Sequence, residues 1–550
     1  MPRNLPLRLQ ENADRFPEKP ALIIPGRGSA WETVTYLQLN ERSRLFLRGL
    51  AALGLQPGTR AVLMAPPSVD FFALVFALLR AGVVPVMVDP AIGLRNVTAC
   101  LEAAQPEVYF GSALTHGIRL FFGWGQKTLR LNLTLAEVLR AGEGVRRTDR
   151  NETSSGERVF HLTGFPQGGG CDAPPAEAAI VYTSGSTGLP KGVVFSQANF
   201  TAQIEMLVKA LDLRGDEIDL PAFPLFALID CLLGVTAVIP DLRFPPPAKV
   251  DPAKMAAAIQ IHAVDTLFVS PAALDRLARY GIQERIKLPG LKKVITAGAP
   301  APVAVQERFH RLLSPEAELF GIYGSTETLP VALVSSREVL GETRQLTGQG
   351  AGVCIGRPVA GAEVRIVSIT DEVIPVWGTD LELPAGEVGE ITVRGGAVTE
   401  AYVGQPEATR LAKIKDLDGQ TVHRMGDLGY FDEKGRLWYC GRKSHRVITS
   451  AGTLFTEPVE GIFNAHPQVY RTALVGVVKA GKMEPVLWVE LRSDARGADQ
   501  KRLTGELLEL AKTHEMAHSI KTILFHPAFP TDVRHNSKIL REKLAARSKA

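Results

Sequence analysis

Eleven consecutive residues, Tyr182-Thr183-Ser184-Gly185-Ser186-Thr187-Gly188-Leu189-Pro190-Lys191-Gly192, join hydroxyls, glycines and one lysine in an order suited to gripping phosphate. Thr183, Ser184, Ser186 and Thr187 offer donors, while Gly185 and Gly188 let backbone N–H groups turn inward. Lys191 adds charge. Such a loop suits a triphosphate or a pyrophosphate leaving group. It is not the Walker pattern, because Leu189 and Pro190 separate Gly188 from Lys191. A flexible Ser/Gly linker is the bland alternative. A linker needs neither Pro190-Lys191-Gly192 in register behind it nor the apolar Ile180-Val181-Tyr182 ahead of it.

The elements that must position this loop read as α/β. Ala61 to Met64 predicts a strand, Val69 to Arg80 a helix and Val83 to Val88 a second strand. The pattern returns at Thr266 to Val269, Ala272 to Tyr280 and Lys293 to Thr296. Strand, helix, strand at this spacing predicts parallel sheets covered by helices. Arg140 to Pro175, rich in Gly, Ser, Arg and Pro, predicts a surface loop. From Gly386 the pattern turns more β-like, and the residues after Arg442 suffice for a small α+β domain. The expected division is 1–441 and 442–550.

With 550 residues, 45% hydrophobic and 22% charged, the chain predicts a multidomain globular protein rather than a disordered one. A net charge of +4 gives no reason to expect nucleic acid as a partner. Cys100, Cys171, Cys231, Cys354 and Cys440 are scattered, which excludes a zinc-type pair and fits a reducing compartment. The most apolar run, Phe71 to Val88, contains Arg80, Gly82 and Pro85, and predicts a buried helix and strand rather than a membrane span. Met1 to Ala21 does not read as a signal peptide, so a cytoplasmic location is expected, with peripheral membrane contact left open.

The loop resembles the signature of the adenylate-forming superfamily of acyl-CoA synthetases, luciferases and peptide-synthetase adenylation domains. Further motifs follow in that superfamily's order: Ala297-Gly298-Ala299-Pro300, Tyr323-Gly324-Ser325-Thr326-Glu327, Gly386 to Ile391, Arg424-Met425-Gly426-Asp427 and Pro530 to Lys538. The resemblance implies ATP and Mg²⁺, a large multi-sheet N-terminal domain and a small mobile C-terminal one. It places Tyr323 against adenine, Gly298, Ala299 and Pro300 along the adenine and acyl pockets, and Gly324 and Ser325 with the nucleotide. Thr326 meets the α-phosphate, Glu327 and Thr187 serve Mg²⁺, and Asp427 with Arg442 holds the ribose. Lys538 bridges the attacking carboxylate and the α-phosphate, and Ser444 is the hinge. Taken singly, these motifs are weak. Glu327 alone reads as a helix N-terminal charge, Asp427 as a β-turn residue and Lys538 as an exposed tail charge.

Several segments depart from an average CoA ligase. Ala227 stands where a histidine or bulky aromatic is usual, His445 and Arg446 replace an acidic residue, and His535-Asn536-Ser537 precedes Lys538. These stretches are similar to the β-lactone synthetases of bacterial long-chain olefin biosynthesis. That resemblance implies adenylation of a 2-alkyl-3-hydroxy acid and closure by its own hydroxyl, without CoA, and assembly with other enzymes of the olefin pathway. His445 or His535 is a candidate base. Phe223, Phe226, Ala227, Leu228 and Ile229 are candidate acyl-pocket walls, although the same run also reads as ordinary core. The alternatives are a long-chain fatty acid–CoA ligase and an inactive binding protein that keeps the fold. Leu120-Phe121-Phe122-Gly123-Trp124 suits a tunnel cap, a membrane contact or a partner contact equally.

Overall fold

The computed structural model describes residues 5–26, 30–150, 177–183, 190–240, 250–479, 481–531 and 538–548. It divides into two compact units. The first comprises Met1–Arg243, Lys254–Phe268 and Gly396–Thr409; the second comprises Phe244–Ala253, Val269–Gly395 and Arg410–Ala550.

The first unit holds two sheets. One has the strand order Leu131–Leu133, Val108–Gly111, Arg60–Met64, Val84–Met87, Ala179–Tyr182, Gly192–Phe195. All its pairings are parallel except the last, a hairpin that carries the phosphate loop. The other sheet runs Trp31–Thr35, Pro20–Pro25, Thr236–Val238, Ile218–Pro221, Thr266–Val269. The apolar run 71–88 forms the helix Val69–Ala81, capped by Ser68, and the strand Val84–Met87. Nine of the thirteen residues of that helix are buried. Among the described residues, no helix is long and apolar enough to cross a membrane.

One expectation fails. Arg140 to Arg150 is not loop but the continuation of the helix Leu135–Arg150. Thr134 starts it, its hydroxyl accepting the Glu137 N–H while the Glu137 carboxylate accepts the Thr134 N–H. Gly142, which suggested a loop, instead allows close helix packing. A Cβ on Gly142 would lie 2.2 Å from the Leu45 carbonyl oxygen, and one on Gly49 would lie 2.1 Å from that of Val138. The rest of that stretch, 151–176, lies outside the described residues, with Cys171.

In the second unit, Lys293–Ala297 runs parallel to Glu318–Ser325. Antiparallel strands follow in the order Thr328–Ser335, Val353–Pro358, Leu437–Arg442, Thr421–Phe431, Gly389–Arg394, Glu363–Val367. A three-stranded sheet, Val469–Lys479, Lys482–Leu491 and Thr522–Phe525, shares a core with the helices Thr456–Asn464 and Gln500–Lys512. The alternating helices and strands read from sequence are therefore present, displaced by a residue or a few at their ends.

Candidate active site

The second unit gathers most of the predicted nucleotide residues. Ala297 and Ile322 are neighbours across the parallel pair, so Gly298-Ala299-Pro300 leaves its strand beside Tyr323. Ser325 pairs with Thr328, which puts Thr326 and Glu327 in a tight hairpin rather than at a helix start. Gly324 is needed there, because a Cβ would meet the Thr328 carbonyl oxygen at 2.8 Å. Asp427 lies within the strand Thr421–Phe431, opposite Arg442, and not in a turn.

The geometry around Asp427 is that of a buried acceptor. Tyr323 donates its hydroxyl to Asp427 Oδ2 at 2.8 Å. Arg442 Nε stands 3.2 Å from Asp427 Oδ1 as an ion pair. That oxygen nevertheless receives no hydrogen bond, nor does the buried Ser325 Oγ. Buried polar oxygens without donors are costly unless a ligand supplies them, and ribose hydroxyls are donors of the right kind. Burial pushes the Asp427 carboxyl up, against the pull of Arg442, the Tyr323 hydroxyl and Lys538; Glu327 adds a further upward push. Lys538 and Glu327 thus lie close enough to act on Asp427. Burial and Asp427 hold the Tyr323 phenol far above its ordinary range, so it remains a donor. Asp427 likewise raises the Arg442 guanidinium.

Glu327 is buried. Among the described residues, no group of three or more His, Cys, Asp or Glu could hold a metal by protein ligands alone. One carboxylate beside phosphate oxygens is the arrangement Mg²⁺ favours, since it keeps waters and shares its ligands with the substrate.

Ser444 is exposed within the short turn Lys443–His445 that follows the strand Leu437–Arg442. His445 is half-buried there. Burial, with Arg541 and Arg442 nearby, pushes its imidazole down to about 4, so it is neutral at pH 7.

Sequence reading missed the acidic pair beside Arg541. Arg541 makes a bidentate ion pair with Glu460, at 2.6 and 3.1 Å. Glu460 also accepts the Leu474 N–H at 2.7 Å. Burial raises the Glu457 carboxyl against the pull of Arg541, with Asp427 raising it further. The available signals were two glutamates spaced i, i+3, which fall in the first turns of the helix Thr456–Asn464, and an arginine three residues beyond Lys538.

In the first unit, the stems of the phosphate loop are in place. Tyr182 pairs with Gly192. The Thr183 N–H donates to the Lys191 carbonyl at 3.0 Å. The Lys191 ammonium stands 4.8 Å from the Tyr402 ring centroid, and Gln405 donates to the Pro190 carbonyl at 2.9 Å. Those two residues were also missed, because Gln405 is 215 residues from Pro190 in sequence. Ser184, Gly185, Ser186, Thr187 and Gly188 lie outside the described residues, as does His535.

The acyl-wall candidates share one region. Phe226 stacks on Phe268 with centroids 4.0 Å apart, and Phe223 meets it edge-on at 5.9 Å. Ala227 is fully buried, while Leu228 and Ile229 pack against the same core. Asp219 and Asp230 form a buried carboxyl pair beside this wall. Burial raises both, with Asp219 at about 7, so the pair retains a proton that the unfolded chain, near 3.8, gives up. Above 3.8 the folded state binds more protons than the unfolded chain, so this pair's contribution to stability falls as pH rises through about 7, where Asp219 ionises, and goes on falling while Asp230 keeps its proton. Asp230→Asn replaces the titrating proton with a permanent donor. Urea unfolding at pH 5 and pH 8 is expected to show the variant gaining about 1–2 kcal/mol on the parent between the two. An equal pH response of both proteins would contradict the shared proton.

Residues 9–403 match the family described as AMP-binding enzyme. The chain is 43% identical over 552 residues to an olefin β-lactone synthetase of Xanthomonas campestris pv. campestris, covering 98% of this chain and 97% of that one. It is 44% identical to an olefin β-lactone synthetase of Stenotrophomonas maltophilia, covering 99% and 98%. The fold matches O-succinylbenzoate coenzyme A synthetase from Bacillus subtilis in complex with ATP and magnesium, at a TM-score of 0.73 and 21% identity over 98% of each chain.

Proposed function

We propose, for a chain that belongs to the AMP-binding enzyme family and is related over its full length to olefin β-lactone synthetases, that it converts a long-chain 2-alkyl-3-hydroxy acid to a β-lactone at the expense of ATP. The observation that carries this reading is the 43% and 44% identity to two such synthetases over 97% and 98% of their lengths. The cluster of Tyr323, Asp427, Arg442, Glu327 and Lys538 supports its first half.

ATP lies with its ribose hydroxyls donating to Asp427, supported by Arg442, and its adenine against Tyr323. The hydroxyls and N–H groups of 183–188, with Lys191, hold the β- and γ-phosphates. Glu327 and Thr187 would hold Mg²⁺, which when bound would neutralise phosphate charge. Lys538 brings the substrate carboxylate and the α-phosphate together and offsets the charge that develops between them. Thr326 donates to the α-phosphate. The acyl carbon then carries AMP as its leaving group. The substrate's own 3-hydroxyl attacks that carbon, and its high effective molarity offsets part of the ring strain. Phe223, Phe226, Ala227, Leu228 and Ile229 wall the alkyl chains.

The border between a large nucleotide- and acyl-binding domain, 1–441, and a small lid, 442–550, falls at Arg442, with Ser444 as the hinge. Its exposure in a short turn between two strands supports that role. For ring closure, His445 is the described candidate base, since its neutral imidazole can accept a proton at any pH above about 4. So low a basicity limits its contribution, and His445→Ala is expected to lower lactone output by about 10²-fold, with pyrophosphate release retained. Unchanged lactone output would remove His445 from that role.

Supplying a 2-alkyl-3-hydroxy acid, ATP and Mg²⁺ with and without CoA tests the whole reading by product analysis. Lactone in both reactions supports it. Thioester alone would make the chain a fatty acid–CoA ligase.

A further inference from the structure

We propose, on the basis of that adenylation reading, that Ser325 hydrogen-bonds the 3-hydroxyl of the acid and so selects 3-hydroxy acids over their deoxy counterparts. Buried hydroxyls on other strands of the second unit find a carbonyl. Thr296 and Thr392 are fully buried; the first donates to the Phe320 carbonyl at 3.3 Å and the second to the Arg365 carbonyl at 2.9 Å. Ser325 Oγ is buried as well and has no partner. A buried hydroxyl left that way is costly unless a ligand completes it. The hairpin fixes its place. Strand pairing shifts register between Tyr323 and Ser325, an irregularity that re-aims the side chains around it. Gly324, inside the shift, has no room for a side chain, since a Cβ would lie 2.7 Å from Leu329 Cδ1 and 2.8 Å from the Thr328 carbonyl oxygen. The backbone beside Ser325 is thus packed against its partner strand, and the unpaired hydroxyl is a fixture of the turn.

Position along the strand decides between ribose and acid as its partner. Tyr323 marks the ribose side, because its hydroxyl donates to Asp427 at 2.8 Å. Ser325 lies two residues further on, roughly 6–7 Å along a strand, and directly precedes Thr326, the proposed donor to the α-phosphate. The acid's carboxylate must meet that phosphate, and its 3-hydroxyl is only two carbons from the carboxyl carbon. The hydroxyl therefore falls beside the residues that flank Thr326. Of the two, Glu327 is a carboxylate assigned to Mg²⁺, whereas Ser325 offers a donor and free lone pairs. When Ser325 Oγ accepts the 3-hydroxyl O–H, the lone pairs of the substrate oxygen stay free to face the acyl carbon, as ring closure requires.

A 2-alkyl-3-hydroxy acid and its 3-deoxy counterpart of the same chain lengths, compared by pyrophosphate release, test this on the full chain. Pyrophosphate reports which acid is adenylated and is blind to the fate of the adenylate. A thioester product would therefore defeat the lactone reading and leave Ser325 selectivity standing, and lactone without that selectivity would do the reverse. The parent is expected to favour the hydroxy acid in kcat/KM by about 10–100-fold, the value of one buried hydrogen bond. Ser325→Ala is expected to bring that ratio close to one, and Ser325→Thr, which keeps a hydroxyl, to retain most of it. A parent that uses both acids equally would overturn the proposal. So would a Ser325→Ala enzyme that keeps the preference, whether at full rate or with both acids slowed in proportion, since a purely structural or nucleotide-binding serine behaves that way.

Discussion

Lys538→Ala is expected to slow acid-dependent pyrophosphate release by about 10²–10³-fold, the usual loss when one positioned donor to developing charge is removed. The loss should fall on the chemical step. Lys538 acts on Asp427 electrostatically, in company with Glu327 and Arg442, which supports its proposed role beside the α-phosphate. The backbone that carries it does not depend on that side chain. Thr531 and Ile539 bridge across the base of the segment, and the Leu540 N–H donates to the Pro530 carbonyl at 2.9 Å. Arg541 is fixed separately by Glu460. The variant should therefore unfold at nearly the parent's urea midpoint and still bind ATP. Closure of a synthetic acyl-adenylate supplied to it should be far less affected. Near-normal pyrophosphate release would remove Lys538 from adenylation.

The second large effect is on stability. Glu390→Ala is expected to cost about 3–5 kcal/mol, because it strands a buried cation. Glu390 Oε2 accepts from Arg424 Nε at 3.1 Å, from Arg424 Nη2 at 2.6 Å and from Lys443 Nζ at 3.0 Å. The Arg424 and Glu390 side chains are each 1% exposed. The remaining donors of Arg424 are also committed, to the carbonyls of Thr370, Glu372 and Leu411. Removing the carboxylate leaves that guanidinium without its counter-charge. The site should feel it as well, since Arg424 lies three residues before Asp427 in one strand and Lys443 adjoins the proposed hinge. Urea unfolding reads the first effect and the KM for ATP the second. A loss below about 1 kcal/mol would show that Arg424 keeps its place without Glu390.

Arg424 and Glu390 also mark how far the sequence was legible. The motif Arg424-Met425-Gly426-Asp427 pointed to Asp427, while Gly386 to Ile391 carried no assigned role. The two are joined by strand pairing between Gly389–Arg394 and Thr421–Phe431, which a linear reading does not contain. Tyr402 and Gln405 reach the phosphate-loop stem from far along the chain in the same way. Local signals fared better. Ser68 and Gly82 bracket the helix Val69–Ala81, and apolar runs marked the strands at 60–64 and 266–269. Glycine misled where its reason was tertiary. Gly142 looked like a loop residue because its partner, the Leu45 carbonyl, is almost a hundred residues away in sequence. Likewise, Glu327 and Asp427 each have a more ordinary reading from sequence alone, and the Tyr323 hydroxyl reaches Asp427 although their strands are not neighbours.

The central claim is that the acid's carboxylate is activated and its own hydroxyl closes the ring. Isotope position tests it most directly. A 2-alkyl-3-hydroxy acid carrying ¹⁸O in both carboxylate oxygens, given with ATP and Mg²⁺ and without CoA, should yield AMP bearing one ¹⁸O and a β-lactone retaining the other in its carbonyl. Unlabelled AMP with a lactone holding both labels would mean that the hydroxyl, not the carboxylate, was activated, and would contradict the account.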